Sequence, residues 1–170
     1  MINPDKYNTF WKRLLAGLVD TIIFIPFMIG DFFINQSDNI ILFISWRLIS
    51  IICWMTYIVI GHGKYGQTIG KKVMQIKVLD IDEEKTIGYL RAFIRESVWT
   101  IAEILGMSYL AYAAYTTKVN NKELIKLVYE DYMSYTTLLW FSLELFTMMF
   151  NAKRRAVHDY IARSVVIKLH

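Results

Sequence analysis

The chain has 170 residues, 55% of them hydrophobic, with a formal net charge of +4 and a mean hydropathy of +0.34. That length is short for two soluble domains and sufficient for four membrane spans with their connections, and the apolar content argues against a soluble domain. A single cysteine, Cys53, excludes an intrachain disulfide and a cysteine-based metal site.

Residues 1–12 form a polar arm that ends in Phe10 and Trp11. The arm has the basic flank of a signal sequence. The apolar run behind it is too long for a signal core and shows no small-residue cleavage site, so it reads as a retained span. That first span covers about 13–34. At about 1.5 Å per residue it matches the roughly 30 Å hydrocarbon core of a bilayer. Asp20 and Asp31 fall two and five helical turns beyond Arg13, on the same face of an unbroken helix. An acid inside a membrane helix costs about 2.5–3.5 kcal/mol on insertion scales and seeks a partner or a wet cavity. Pro26 should kink this span.

A polar turn, 35–39, leads to a second span at 40–60 that contains Arg47. Glycines at 61, 63, 66 and 70 then mark a loop, GHGKYGQTIGKK. Met74, Ile76 and Val78 alternate with polar residues and predict a short strand. A polar turn at Asp82–Lys85 would let Thr86–Tyr89 return as the second strand of a hairpin. The stretch YLRAFIRESVW, with Arg91 and Arg95 one turn apart, reads as an amphipathic lead-in lying on the membrane surface. A third span at 98–117 contains Glu103, an interfacial helix is expected within 118–131, and a fourth span at 132–152 contains Glu144. The tail is basic and ends in an apolar strand-like piece, Ser164–Ile167. The expected fold is therefore an all-α integral membrane protein, a four-helix transmembrane bundle with a cytoplasmic loop holding a short β-hairpin.

Cation placement sets the expected orientation. Seven Lys and Arg lie between spans two and three and five in the tail, while the other two connections hold none and three. By the positive-inside rule both termini and the central loop are cytoplasmic. The positive charge thus speaks of orientation rather than of nucleic acid. The basic loop could touch anionic lipid head groups. It is not a phosphate-binding P-loop, because Tyr65 and Lys72 stand where that pattern needs Gly and Ser or Thr.

Read together, R13-LLAGLV-D20, G66-QTIG-K71, R91-AFI-R95 and H158-D159 resemble the RDD family of membrane proteins, over about residues 7–168. The family is named for one Arg and two Asp, which by match are Arg13, Asp20 and Asp159. The resemblance implies a small multi-pass membrane protein, suspected to act in transport, with cation or proton exchange proposed for some members. The polar connection at 118–131 and the acids Glu103 and Glu144 are departures from the matched pattern.

Counted along the chain, Asp20, Glu103 and Glu144 lie at similar depth, roughly 10 Å from the cytoplasmic side for Asp20. If the helices pack as one bundle these carboxylates converge, and converging acids in low dielectric hold a proton or a cation. The opposing reading is structural: Asp20 pairs with Arg13, and Glu103 and Glu144 snorkel to the interface. An ion pair between Arg47 and Asp31 is expected, with a role at an extracellular entrance as the alternative. Asp159 is expected to pair with a basic group of the central loop, such as Lys71, Arg91 or Arg95, tying tail to loop. Histidine is the side chain suited to a pH switch, and His158 offers one. No nucleophile–base pair, cofactor motif or metal cluster is visible, so the sequence points away from an enzyme. The leading reading is a cation or proton transporter, working as a homo-oligomer or with a partner membrane protein. The rival is a non-transporting membrane module that anchors or stabilises a partner complex.

Overall fold

The computed structural model describes residues 4–117 and 119–169. A short helix α1 (Pro4–Tyr7) leads into α2 (Phe10–Ile23) and α3 (Ile25–Ile34). The helix breaks at Phe24, and the two halves meet at 63°. Pro26 sits in the first turn of α3, where its missing N–H costs nothing. The Phe24 N–H instead closes a tight turn on Thr21 O at 2.9 Å. Pro26 therefore bends the first span sharply, as its position demanded.

α4 (Ile40–Ile60) starts at Asn39, whose side chain accepts the Leu42 N–H at 3.0 Å. It continues through a π-helical turn, Gly61–Tyr65, and stops at Gly66, which adopts a left-handed φ of +70°. A side chain at Gly66 would also strike the Val78 carbonyl, so glycine is required twice over. α5 (Ile69–Val73) follows, capped by Thr68, whose hydroxyl accepts the Lys71 N–H. Among the described residues, Ile40–Tyr65 is the one unbroken helix long and apolar enough to cross a membrane, and only 11% of its most apolar window is buried. It is therefore not the core helix of a soluble protein. The bent pair α2–α3 passes the same test as a unit.

The next elements correct the expected layout. Strand β1 (Ile76–Asp80) does not form a hairpin with Thr86–Tyr89. It pairs antiparallel with β2 (Ser164–Lys168), in a register that sets Ile76 opposite Lys168 and Asp80 opposite Ser164. One face of this ribbon buries Ile76, Val78 and Val166 against Ala16, Ile87 and Ala92. The other buries Leu79, Val165 and Ile167 against Tyr7. A ribbon covered on both faces satisfies the stability requirement that an isolated hairpin does not meet.

The expected surface lead-in is the first part of one helix, α6 (Gly88–Thr116), 29 residues without a break. Likewise the expected interfacial helix is not separate. α7 (Asn121–Leu124) runs through a π-helical stretch, Ile125–Glu130, directly into α8 (Asp131–Met149). Lys118, at the start of that connection, lies outside the described residues. Among the described residues, one helix, or two if the bent pair is a single span, is long and apolar enough to cross a membrane. A short helix α9 (Val157–Ile161) precedes β2. At the end remote from the sheet, Phe43, Met107, Leu110, Ile125 and Tyr129 form the core between α4, α6 and the π stretch.

Glu83, in the turn after β1, ties three segments together. It accepts from Lys6, from the Tyr7 hydroxyl at 2.5 Å and from Lys153 at 3.0 Å. Burial alone would raise its pKa, but these three donors outweigh it and hold the carboxyl at about 2. A depressed carboxylate contributes stability in full above its ordinary value and loses it as pH falls toward the folded value. Hydrogen exchange of β1 and β2 should therefore quicken between about pH 4.5 and 2. Glu83→Gln should remove that pH dependence; an unchanged profile would refute the tie.

Candidate functional site

Asp20 is the first node. It is 2% exposed and faces the start of α5, not Arg13. Its Oδ1 accepts from the Tyr57 hydroxyl at 2.6 Å and the Gly70 N–H at 2.7 Å, and its Oδ2 from the Thr68 hydroxyl at 2.6 Å. The motif G66-QTIG-K71 explains this local geometry. Gly66 turns the chain, Thr68 both caps α5 and donates to Asp20, and Gly70 lets α5 touch α2. The Tyr57 hydroxyl also accepts the Ile69 N–H at 3.0 Å, so α4 joins the same knot.

Asp159 is the second node and is fully buried. Its Oδ2 accepts from Arg13 Nη1 at 2.6 Å and from the Ala156 N–H at 3.1 Å. Its Oδ1 accepts from Arg95 Nη2 at 2.9 Å, Arg95 Nε at 3.2 Å and the Ser164 hydroxyl at 3.1 Å. Burial would push this carboxyl up; the charges of Arg13 and Arg95, with the Ala156 N–H, outweigh it and keep it well below the usual range. Tail and helix α6 are thereby joined. Arg91 is exposed and takes no part in this network, and Lys71 is not the partner of Asp159.

Arg95 passes the network on. Its Nη1 lies 3.3 Å from His62 Nδ1, and its Nη2 lies 2.5 Å from His158 Nε2. A guanidinium only donates, so both ring nitrogens are assigned as acceptors and each ring carries its proton on the other nitrogen. His158 Nδ1–H then donates to Glu144 Oε1 at 2.5 Å. The result is a chain from Glu144 through His158 and Arg95 to Asp159 and Arg13.

Glu103 belongs elsewhere. It accepts from Arg47 Nη2 at 2.7 Å and from the Tyr129 hydroxyl, near the end remote from the sheet. Arg47 also reaches Asp31 at 3.2 Å, and Asp31 accepts from the Trp46 indole at 2.8 Å. The expected convergence of three acids is therefore corrected. Helix rotation turns Glu103 toward α4 and Glu144 toward the tail, although their depths along the chain are similar.

A cavity of about 530 Å³ lies between α2, α4, α6 and α8. Asp20 and Glu144 border it, with Arg13, Lys71, Arg95, Glu96, His62 and His158; Glu103 does not. Burial, reinforced by Arg95, lowers the Lys71 ammonium to about 8. Among the described residues no group of three His, Cys, Asp or Glu side chains is placed to hold a metal ion. Sequence reasoning overlooked Tyr57, Thr68, Gly70, His62 and Ser164 as parts of these networks. For Thr68 and Gly70 the available signal was the motif G66-QTIG-K71, and for His62 its place between glycines directly after an apolar run.

The family model described as RDD family matches residues 7–163. The chain belongs to the RDD family. RDD domains are membrane-associated, in keeping with the outward-facing α4 of this one. No curated protein and no solved structure matches the chain. Within this RDD protein, Arg13 and Asp159 form one ion pair, while Asp20 is held separately by the glycine-rich loop.

Proposed function

We propose that this RDD protein is a multi-pass protein of the cell membrane, with both termini cytoplasmic, that moves a proton or exchanges it for a cation. The observation that carries this reading is the cavity wall, where Glu144 meets His158 beside a space of about 530 Å³. A carboxylate hydrogen-bonded to a neutral imidazole is a proton-handling pair. Protonating His158 at Nε2 would displace the Arg95 donor and so couple charge on the pair to the Arg95–Asp159–Arg13 chain. The outward apolar residues of α6 and α8, among them Leu105, Tyr109, Leu138 and Phe146, support these helices as further spans. Asp20 meets three donors already and serves as a structural knot rather than the carrier. The role is transport rather than catalysis, in a homo-oligomer or with a partner membrane protein.

The test is proton flux in liposomes holding purified protein under sodium, potassium and pH gradients. Glu144→Gln keeps an acceptor for His158 and should abolish flux while the melting temperature holds. Wild type without flux under any gradient, at equal reconstitution, would overturn the reading. The second reading, a non-transporting module that stabilises a partner complex, is favoured by the full pairing of Asp20, Asp159 and Glu103. It predicts no flux and loss of association when these pairs are broken.

A further inference from the structure

The acids on the cavity wall have partners: Asp20 has its three donors, Glu144 has His158 and Glu96 lies 3.5 Å from Arg95. What is left over is of the opposite kind. Arg13 Nη2 and His62 Nε2 are buried and have no hydrogen-bond partner among the described residues, and both residues border the cavity. His62 is 1% exposed, and its Nδ1 is used by Arg95, so the unpaired Nε2 is a donor. A buried donor without an acceptor is costly, and such groups are rare unless a ligand, ion or water meets them. Lys71 borders the same space. The rest of the lining is largely apolar and aromatic, with Trp54, Trp99, Trp140 and Phe141. Leu18 and Phe141 border the cavity yet stay 58% and 52% exposed, so it opens sideways on the apolar flank of the helices.

Donors at one end, an apolar wall and a lateral opening together define the occupant. We propose that this cavity binds an anionic phospholipid, whose phosphate accepts from Arg13, His62 and Lys71 and whose acyl chain leaves between Leu18 and Phe141. Basic pockets between membrane helices are suited to such head groups. The site rests on the unpaired donors and stands apart from the transport reading.

The three cavity tryptophans supply the readout. Protein in nanodiscs of phosphatidylcholine should lose fluorescence on adding phosphatidate with brominated chains, with saturation at low mole fraction. Brominated phosphatidylcholine should quench far less, and millimolar inorganic phosphate should leave the phosphatidate signal unchanged. His62→Phe should raise the half-saturating mole fraction about tenfold or more. Because His62 also accepts from Arg95, a second variant stands beside it. Gly17 borders the cavity, and an added Cβ there meets nothing within 4 Å, so Gly17→Phe fills the space without a clash at its root. It should weaken quenching equally at unchanged melting temperature. Equal quenching by both lipids, no quenching by either, or both variants binding as wild type would overturn the proposal. Displacement by inorganic phosphate would also overturn it, by making a soluble anion the occupant.

Discussion

Asp159→Ala is expected to lower stability by about 3–5 kcal/mol, the range for removing one partner from a buried ion pair. The reason is not the lost attraction alone. Asp159 accepts from two arginines, a backbone N–H and a serine hydroxyl, all in a site closed to solvent. Without it Arg13 and Arg95 face each other across the sheet end with no counter-charge between them. The tail, whose β2 completes the only ribbon among the described residues, should detach first. Hydrogen exchange should therefore show β1 and β2 exposed before α4 loses protection. Thermal unfolding in detergent measures the whole effect. Adding Arg13→Leu should recover part of the loss, since one stranded cation is then gone; coupling of about 0.5–3 kcal/mol is usual for residues in one network. A melting temperature for Asp159→Ala equal to that of wild type would remove Asp159 from the centre of the fold.

Some of this organisation could be read from the chain and some could not. The bend at Phe24 was legible because Pro26 acts on its own helix. The strand at 76–80 was legible because alternation is local, but its partner lies more than 80 residues away and nothing in either strand names the other. Thr86–Tyr89 looked like a return strand because a turn precedes it. In fact Gly88, at φ +75°, opens α6. The lead-in and the third span read as two elements because their polarity differs, yet no breaker separates them and the helix runs through. Polarity changes along a continuous helix; only Pro, Gly or a cap ends one. Asp20, Glu103 and Glu144 were located in depth from residue counts, and depth carries no information on which way a helix is turned. Asp31 adds a further reason. Its alignment with Arg13 and Asp20 assumed a straight helix, and the 63° bend removes it. For Asp159 the sequence offered Lys71, Arg91 or Arg95 as partners and charge alone could not choose among them; the fold selects Arg95, and adds Arg13.

Gly70→Ala is expected to rival that loss through a methyl group alone. A Cβ at position 70 would lie 2.1 Å from the Ala16 carbonyl oxygen and 2.8 Å from Asp20 Oδ1. The first neighbour is backbone in the middle of α2 and cannot swing aside as a side chain would. α5 must retreat, and the Gly70 N–H and Thr68 hydroxyl leave Asp20 with it. Overpacking costs about 1–3 kcal/mol, and a buried carboxylate short of donors adds about 1–3 kcal/mol more. Gly17→Ala, on α2 one turn before Asp20, supplies the contrast. Nothing lies within 4 Å of its added Cβ, so the change should stabilise by about 0.5–1 kcal/mol through backbone entropy. The decisive comparison is Gly70→Ala in an Asp20→Ala background. Removing Asp20 also removes the acceptor that draws α5 against α2, so part of the glycine requirement goes with it. The double variant should be less damaged than the sum of the two single ones. Strict additivity in melting experiments would mean that Gly70 and Asp20 act independently, and that the loop is held to α2 by packing rather than by the carboxylate.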